Sequence, residues 1–216
     1  MQDSVTEDLS VAGQIARALA ARIVAGEIAP GSRLRQDHVA GEFRASHVPV
    51  REAFRRLEAQ GLVVSEPRRG VRVPPLDPAA IMEVTEMRAA LEALALRRAL
   101  PRLGPADLAA AEAAITEAEA SDDIGVWEAA NRRFHRATVR ACARPRLLNA
   151  IDDLHAASAR FLFATWRRLD WAERSETEHR RLLEALRRGD EATAVELLSR
   201  HILAAGEALR RAVAGD

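Results

Sequence analysis

Apolar residues recur at helical spacing through most of this chain. Val11, Ile15, Leu19 and Ile23 make one stripe over 10–25, opened by Ser10 and stopped by Gly26. A shorter helix is expected at 36–43, after the Pro30-Gly31 turn signal. A third is expected at 47–60, entered through a turn at Arg44-Ala45, capped by Ser46 and ended by Gly61, with Pro49 tolerated in its first turn. The period then changes. Val63-Val64 and Val71-Val73 read as two short strands joined by Glu66-Pro67-Arg68-Arg69-Gly70. Pro74-Pro75-Leu76-Asp77-Pro78 reads as a stiff linker. Six helices follow, at 78–100, 105–120, 123–143, 145–169, 172–188 and 190–213, with Pro101, Gly104-Pro105, Ser121-Asp122, Pro145, Leu169-Asp170 and Gly189-Asp190 between them. The expected fold is mainly α: an N-terminal winged helix-turn-helix plus a C-terminal antiparallel six-helix bundle. The expected boundaries are a disordered tail at 1–8, the winged helix at 9–74, a linker at 75–78 and the helical domain at 79–216.

Composition adds two points. The formal net charge of the 216 residues is zero, yet 10–75 carries eleven Arg against six Asp and Glu, so the remainder is acidic. A basic amino-terminal third on an acidic remainder fits a DNA module joined to a module that does not touch DNA. The single cysteine, Cys142, excludes an intrachain disulfide and reads as small core filler in Ala-Cys-Ala. No window approaches 18 apolar residues and no signal-peptide pattern opens the chain, so no membrane association and a cytoplasmic location are expected.

Within the basic third, a helix, a turn, an Arg-bearing helix and a basic hairpin follow one another in 75 residues. A recognition helix presents its N-terminal residues to base edges, here Ser46, His47, Val48 and Arg51. Arg51 can pair bidentately with guanine O6 and N7. Arg55 lies one turn later, and Arg33 and Arg35 precede the second helix, all placed for phosphate contacts. In the hairpin Gly70 permits close approach, and Arg68, Arg69 and Arg72 can grip a minor groove or its phosphates.

These residues resemble the winged helix of the GntR superfamily of bacterial transcription regulators. The resemblance is carried by the run from Ile23 through Gly26, Pro30 and Gly31 to Leu34, by Pro49-Val50-Arg51-Glu52-Ala53-Phe54 and Arg56-Leu57-Glu58, and by Gly61-Leu62-Val63 and Pro67-Arg68-Arg69-Gly70-Val71-Arg72-Val73. It implies a regulator, not an enzyme, that binds a double-stranded, pseudo-palindromic operator as a homodimer. Two positions depart from the family pattern. His47 stands where Arg usually follows the Ser of the turn, and Arg44 stands where Gly is usual. With His47 at the DNA-facing end, operator binding is expected to rise as pH falls through the histidine range.

The helical half carries His135, His179 and His201 on three different helices, and Asn131 shares a helical face with His135. Facing helices build metal sites from such sets, and three neutral imidazoles suit Zn, Ni, Fe, Mn or Cu. From the residues alone, surface or satisfied core histidines remain the alternative. This half is similar to the FCD effector domain of the FadR subfamily, through Glu86-Met87-Arg88-Ala89-Ala90-Leu91-Glu92, Asn131-Arg132-Arg133-Phe134-His135, Glu178-His179-Arg180 and His201. Six helices rather than seven resembles its VanR-like branch. The resemblance implies that Asn131, His135, His179 and His201 hold a divalent metal (Zn, Ni, Mn or Fe), and that Arg88 lines the pocket of a small carboxylate effector. An i, i+4 salt bridge to Glu92 is the other reading of Arg88. Asn131 replaces the family's Asp, and Cys142-Ala143-Arg144 replaces its Ser-Gly-Asn. His155 is off the motif and reads as structural or exposed.

The expected function is a ligand-responsive transcription regulator, a repressor. Two rivals stand beside it. One is a helical metal-dependent hydrolase with Glu178 as general base. The other is a regulator whose effector pocket is vestigial, a reading that the neutral Asn131 keeps open.

Overall fold

A computed structural model describes residues 10–59, 61–66, 70–165 and 171–215. The chain divides into two compact units between Pro75 and Leu76.

In the first unit α1 (Val11–Val24) opens at Ser10, whose Oγ accepts from the Gly13 amide at 3.0 Å. Ile15, Leu19 and Ile23 are buried as the stripe requires, but Val11 is 53% exposed. Each four-residue step advances about 40° around a helix, so the stripe drifts. The buried face centres near Leu19, with Ala12 and Ala16, and Val11 falls off its edge. Helix α1 packs on α3 (His47–Ala59), which buries Val50, Ala53, Phe54 and Leu57. Between α2 (Gln36–Glu42) and α3, Arg44 takes φ +49°, a left-handed conformation that accounts for the glycine usual there.

Among the described residues the wing has three strands, one more than the hydrophobic pattern suggests. Strand β3 (Gly70–Arg72) lies between β1 (Arg33–Leu34) and β2 (Val64–Glu66), antiparallel to both. Two residues are too few to show a period in sequence. Register pairs Arg33 with Arg72, Leu34 with Val71 and Glu66 with Gly70. Val63 and Val73, expected inside strands, sit just beyond them at 1% exposure each and anchor the hairpin to the core.

The second unit is all helical among the described residues: α4 (Pro78–Ala99), α5 (Pro105–Glu119), α6 (Ile124–Val139), α7 (Pro145–Thr165), α8 (Ala172–Arg187) and α9 (Glu191–Ala214). Helix starts follow side-chain caps: Asp77, Asp123 and Asp190 accept from Ala79, Val126 and Thr193 amides. Helix α4 packs against α9, α7 and α6, and α5 against α6 and α8. Helices α4 and α9 touch closely at Gly206, where an added Cβ would lie 2.2 Å from Thr85 Oγ1. The expected 123–143 helix instead ends at Val139. A 3-10 turn over Arg140–Cys142 follows, and Ala143 at φ +53° closes it. Ala143 stands where the family carries glycine, so both departures at turns place a side chain in left-handed backbone. Cys142 is buried in the core as filler.

Candidate functional site

One end of α3 and the strands beside it form an arginine-lined surface. Arg33, Arg35, Arg51, Arg55, Ser65 and Gly70 border a single open groove. Arg51 and Arg35 are exposed and make no ion pair among the described residues. Arg55 lies 3.7 Å from Glu52, a loose exposed contact that leaves the guanidinium available. Ser46, His47 and Val48 are exposed at the N-terminal end of α3, Val48 to 64%. Gln36 Nε2 donates to the His47 carbonyl at 2.9 Å, and His47 Nδ1 is 3.7 Å from Asp37, so α2 holds the start of α3. Arg72 is tied to Glu66 at 2.7 Å. Arg68 and Arg69 lie outside the described residues.

The bundle buries a small set of polar groups. Arg88 and Glu92 on α4, His135 on α6, His155 on α7, His179 on α8 and His201 on α9 are all buried. Two nets of hydrogen bonds organise them. In the first, Glu92 is the hub, at 0% exposure. Its Oε2 accepts from His135 Nδ1 at 2.7 Å, and its Oε1 lies 3.1 Å from both Arg88 Nε and His155 Nε2. Arg88 extends further, to Ser158 Oγ and His155 Nε2, each at 3.3 Å. Arg88 makes the i, i+4 salt bridge to Glu92 and also lines the cavity. Burial opposes charge on Glu92, but His135, His155 and Arg88 hold its carboxyl well below the usual range.

In the second net Glu178 Oε2 accepts from His201 Nδ1 at 2.9 Å, and His201 Nε2 meets His179 Nε2 at 3.1 Å. The His201 hydrogen bond is the main cause that pulls Glu178 down to about 2. Burial lowers His135 to about 3 and takes His179 well below its ordinary value, so both rings are neutral at pH 7.

The tautomers follow. His135 and His201 each donate Nδ1–H to a carboxylate, which leaves the lone pair on Nε2. His135 Nε2 is buried with no hydrogen-bond partner among the described residues. One ligand nitrogen each from His135, His179 and His201 lies within 4.8 Å of the others. A 3.1 Å separation suits two imidazoles sharing one ion at about 2.0–2.1 Å. An orphaned lone pair, two carboxylate-oriented rings and three converging nitrogens fit a divalent metal. Glu92, His135 and His155 also cluster, but the Arg88 guanidinium already supplies the cation there.

Beside the imidazoles lies a cavity of about 40 Å³, lined by Arg88, Asn131, His135, His155, Ser158 and His201, with Trp127 and Trp171 also on its wall. Asn131 thus shares the pocket with two of the three histidines. His155, expected to be structural or exposed, is structural: it is 4% exposed and bonded into the Glu92 net. Its i+3 relation to Ser158 was the one available signal.

The two units match two family descriptions. Residues 11–73 match the model for bacterial regulatory proteins of the gntR family, and residues 83–204 match the FCD domain. This chain belongs to the gntR family of bacterial regulatory proteins. It is 31% identical to the probable D-xylose utilization operon transcriptional repressor of Paenarthrobacter nicotinovorans over 197 residues, covering 90% of this chain and 87% of the relative. It is 28% identical to the HTH-type transcriptional repressor GlaR of Escherichia coli K12, covering 90% and 93%. Among solved structures it is similar to E. coli McbR/YncC, at TM-score 0.75 and 25% identity, over 90% of this chain and 94% of that one. As a member of the family it is a ligand-responsive, DNA-binding transcription regulator: the gntR part binds operator DNA and the FCD domain is the ligand-binding part. Among the described residues no helix is long and apolar enough to cross a membrane.

Proposed function

We propose that this protein is a cytoplasmic repressor, acting as a homodimer on a pseudo-palindromic operator, whose bundle binds a small carboxylate with the help of a divalent metal. Residues 9–74 read DNA, 75–78 link, and 79–216 bind effector and dimerise. Arg51 reads a guanine, Ser46, His47 and Val48 face neighbouring bases, and Arg35, Arg55, Arg69 and Gly70 meet the backbone. The repressor sense is supported by the names of the relatives.

The observation that carries the effector half is the bare Nε2 of His135, buried beside those of His179 and His201 at the edge of a cavity that Arg88 also lines. His135, His179 and His201, with the Asn131 amide oxygen, would hold the metal. The metal would supply a fixed positive charge for an anionic ligand. Glu92 and Glu178 keep the rings in the right tautomer, and Arg88 offers N–H groups to the same anion. Asn131 contributes no charge, so the site leans on the effector's carboxylate. A cavity of about 40 Å³ fits a small acid rather than a long chain. At about 10–15 Å³ per water, it has room for about three waters.

The hydrolase reading is less well supported. Its general base would be Glu178, yet that carboxylate is spent on His201 Nδ1 and Arg174, and at about 2 it is a weak base.

Two measurements test the proposal. Metal analysis after gentle purification should find about one divalent ion per chain, lost in His135→Ala. A gel-shift titration on DNA flanking the protein's own gene should give a discrete shift, lost in Arg51→Ala. An ion-free wild type that takes up no added metal contradicts the metal; a shift indifferent to Arg51→Ala contradicts the DNA reading.

A further inference from the structure

Glu128 lines the bundle cavity but takes part in neither hydrogen-bond net. It is half-buried on α6. Positions 128, 131 and 135 are spaced 3 and 4, so Glu128 shares the helical face of Asn131 and His135. It lies two turns before His135, about 10 Å along the axis. Among the described residues it makes no hydrogen bond or ion pair. Other carboxylates of the bundle are matched: Glu92 by Arg88, Glu117 by Arg133, Glu119 by Arg180 and Glu112 by Arg187. Arg132 and Arg88 favour charge on Glu128, but burial outweighs them and pushes its carboxyl above the ordinary value. The cavity thus has an anion-binding end, at Arg88 and the imidazoles, and an unmatched carboxylate on the same wall.

We propose that the effector carries an ammonium as well as a carboxylate, and that Glu128 receives the ammonium, so that the pocket selects a small amino acid. The inference rests on the carboxylate-effector reading and names the class of acid. A plain carboxylate would bring a second negative charge into a half-buried pocket beside Glu128, and the repulsion selects against it. A hydroxyl would offer one hydrogen bond and leave the Glu128 charge uncompensated. An ammonium offers three N–H donors and cancels the charge, and charge-assisted hydrogen bonds of this kind are the strong ones. Trp127 and Trp171 stand on the same wall, and indole faces attract cations. Arg174 already lies 4.8 Å from the Trp171 ring centre. With its carboxylate at Arg88 and its ammonium at Glu128, the ligand spans a cavity whose volume of about 40 Å³ admits a short molecule.

The test titrates the zinc-loaded full chain with acids that differ at the amino group: glycine against acetate, alanine against propionate and lactate, 4-aminobutyrate against butyrate. Tryptophan fluorescence reads binding, since Trp127 and Trp171 stand on the cavity wall. At least one amino acid should bind about tenfold or more tightly than its counterparts, and Glu128→Gln should erase that preference by weakening the amino acid. Glu128→Gln should also leave the melting temperature of the ligand-free protein unchanged or raised, because it removes an unmatched carboxylate. Counterparts that bind as tightly as the amino acids, or a preference that survives Glu128→Gln, overturn the ammonium site and leave the carboxylate reading standing. A fall in melting temperature does the same, since it marks Glu128 as a partner within the fold. A wild type that binds no acid of either series overturns both.

Discussion

On α3 the proposed contact side chains stand in water; in the bundle they are buried. Arg51 is exposed without an ion-pair partner among the described residues, whereas Glu92 is fully buried against an arginine and two histidines. Both are charged groups at proposed sites. A DNA reader needs cations that are free to exchange water and counterions for phosphate and base edges. A ligand pocket needs polar groups already fixed, and burial demands that each be partnered. The first unit therefore tolerates loss of a site residue, while in the second the site and the core are the same groups.

The largest effect should come from removing the hub of the buried net. Glu92→Ala leaves Arg88 uncompensated and should destabilise the bundle by about 3–5 kcal/mol in urea titration of the metal-free protein. Arg51→Ala should leave stability unchanged; a stable Glu92→Ala protein would erase the contrast.

Acid should separate the units in the same direction. His135 sits at about 3 in the folded chain and near 6.5 when unfolded. The unfolded chain therefore takes the proton first. The contribution is complete above about pH 6.5 and is lost as pH falls toward 3. His155 and His179, also lowered by burial, add to this loss, and Glu92 adds more below about pH 4.5. Denaturation of metal-free protein from pH 7.5 to 5 should show falling stability. A flat profile would place these rings in contact with water.

Smaller effects sharpen the comparison. Gly206→Ala drives a methyl into Thr85 and should cost about 1–3 kcal/mol in the bundle. Arg51→Ala should weaken operator binding by about 1–3 kcal/mol and relax sequence preference at one base pair, whereas Arg55→Ala should mainly reduce the salt slope, by about one. Ala143→Gly should stabilise by about 1 kcal/mol by relieving φ +53° at an exposed site. No change in midpoint would mean that the turn is held by other contacts.

Much of this fold was legible because its punctuation is local. Gly26, Gly61 and Gly189, the Pro74-Pro75 pair and the caps at Asp77, Asp123 and Asp190 mark element ends within a residue or two. What stayed hidden depends on distant partners. Strand β1 exists only because β3 pairs with it. Glu92, His135 and His155 lie far apart in sequence, and periodicity tells which face each occupies, not whom it meets. His155 was therefore set aside by the pattern that singled out His135. The left-handed residues Arg44 and Ala143 were legible only as departures from a family pattern; the backbone angle supplies the reason.

The central claim is that the buried polar pocket controls the exposed reader. Its most direct test is operator affinity of the metal-loaded protein, measured by fluorescence anisotropy across a panel of small carboxylates, for the wild type and Arg88→Ala. The account predicts that at least one acid shifts the wild-type Kd by about 5–150-fold, the usual range of allosteric coupling, and that Arg88→Ala loses the shift while still binding DNA. A wild type that binds its operator with the same affinity whichever acid is present would contradict it, and would favour a bundle that only dimerises.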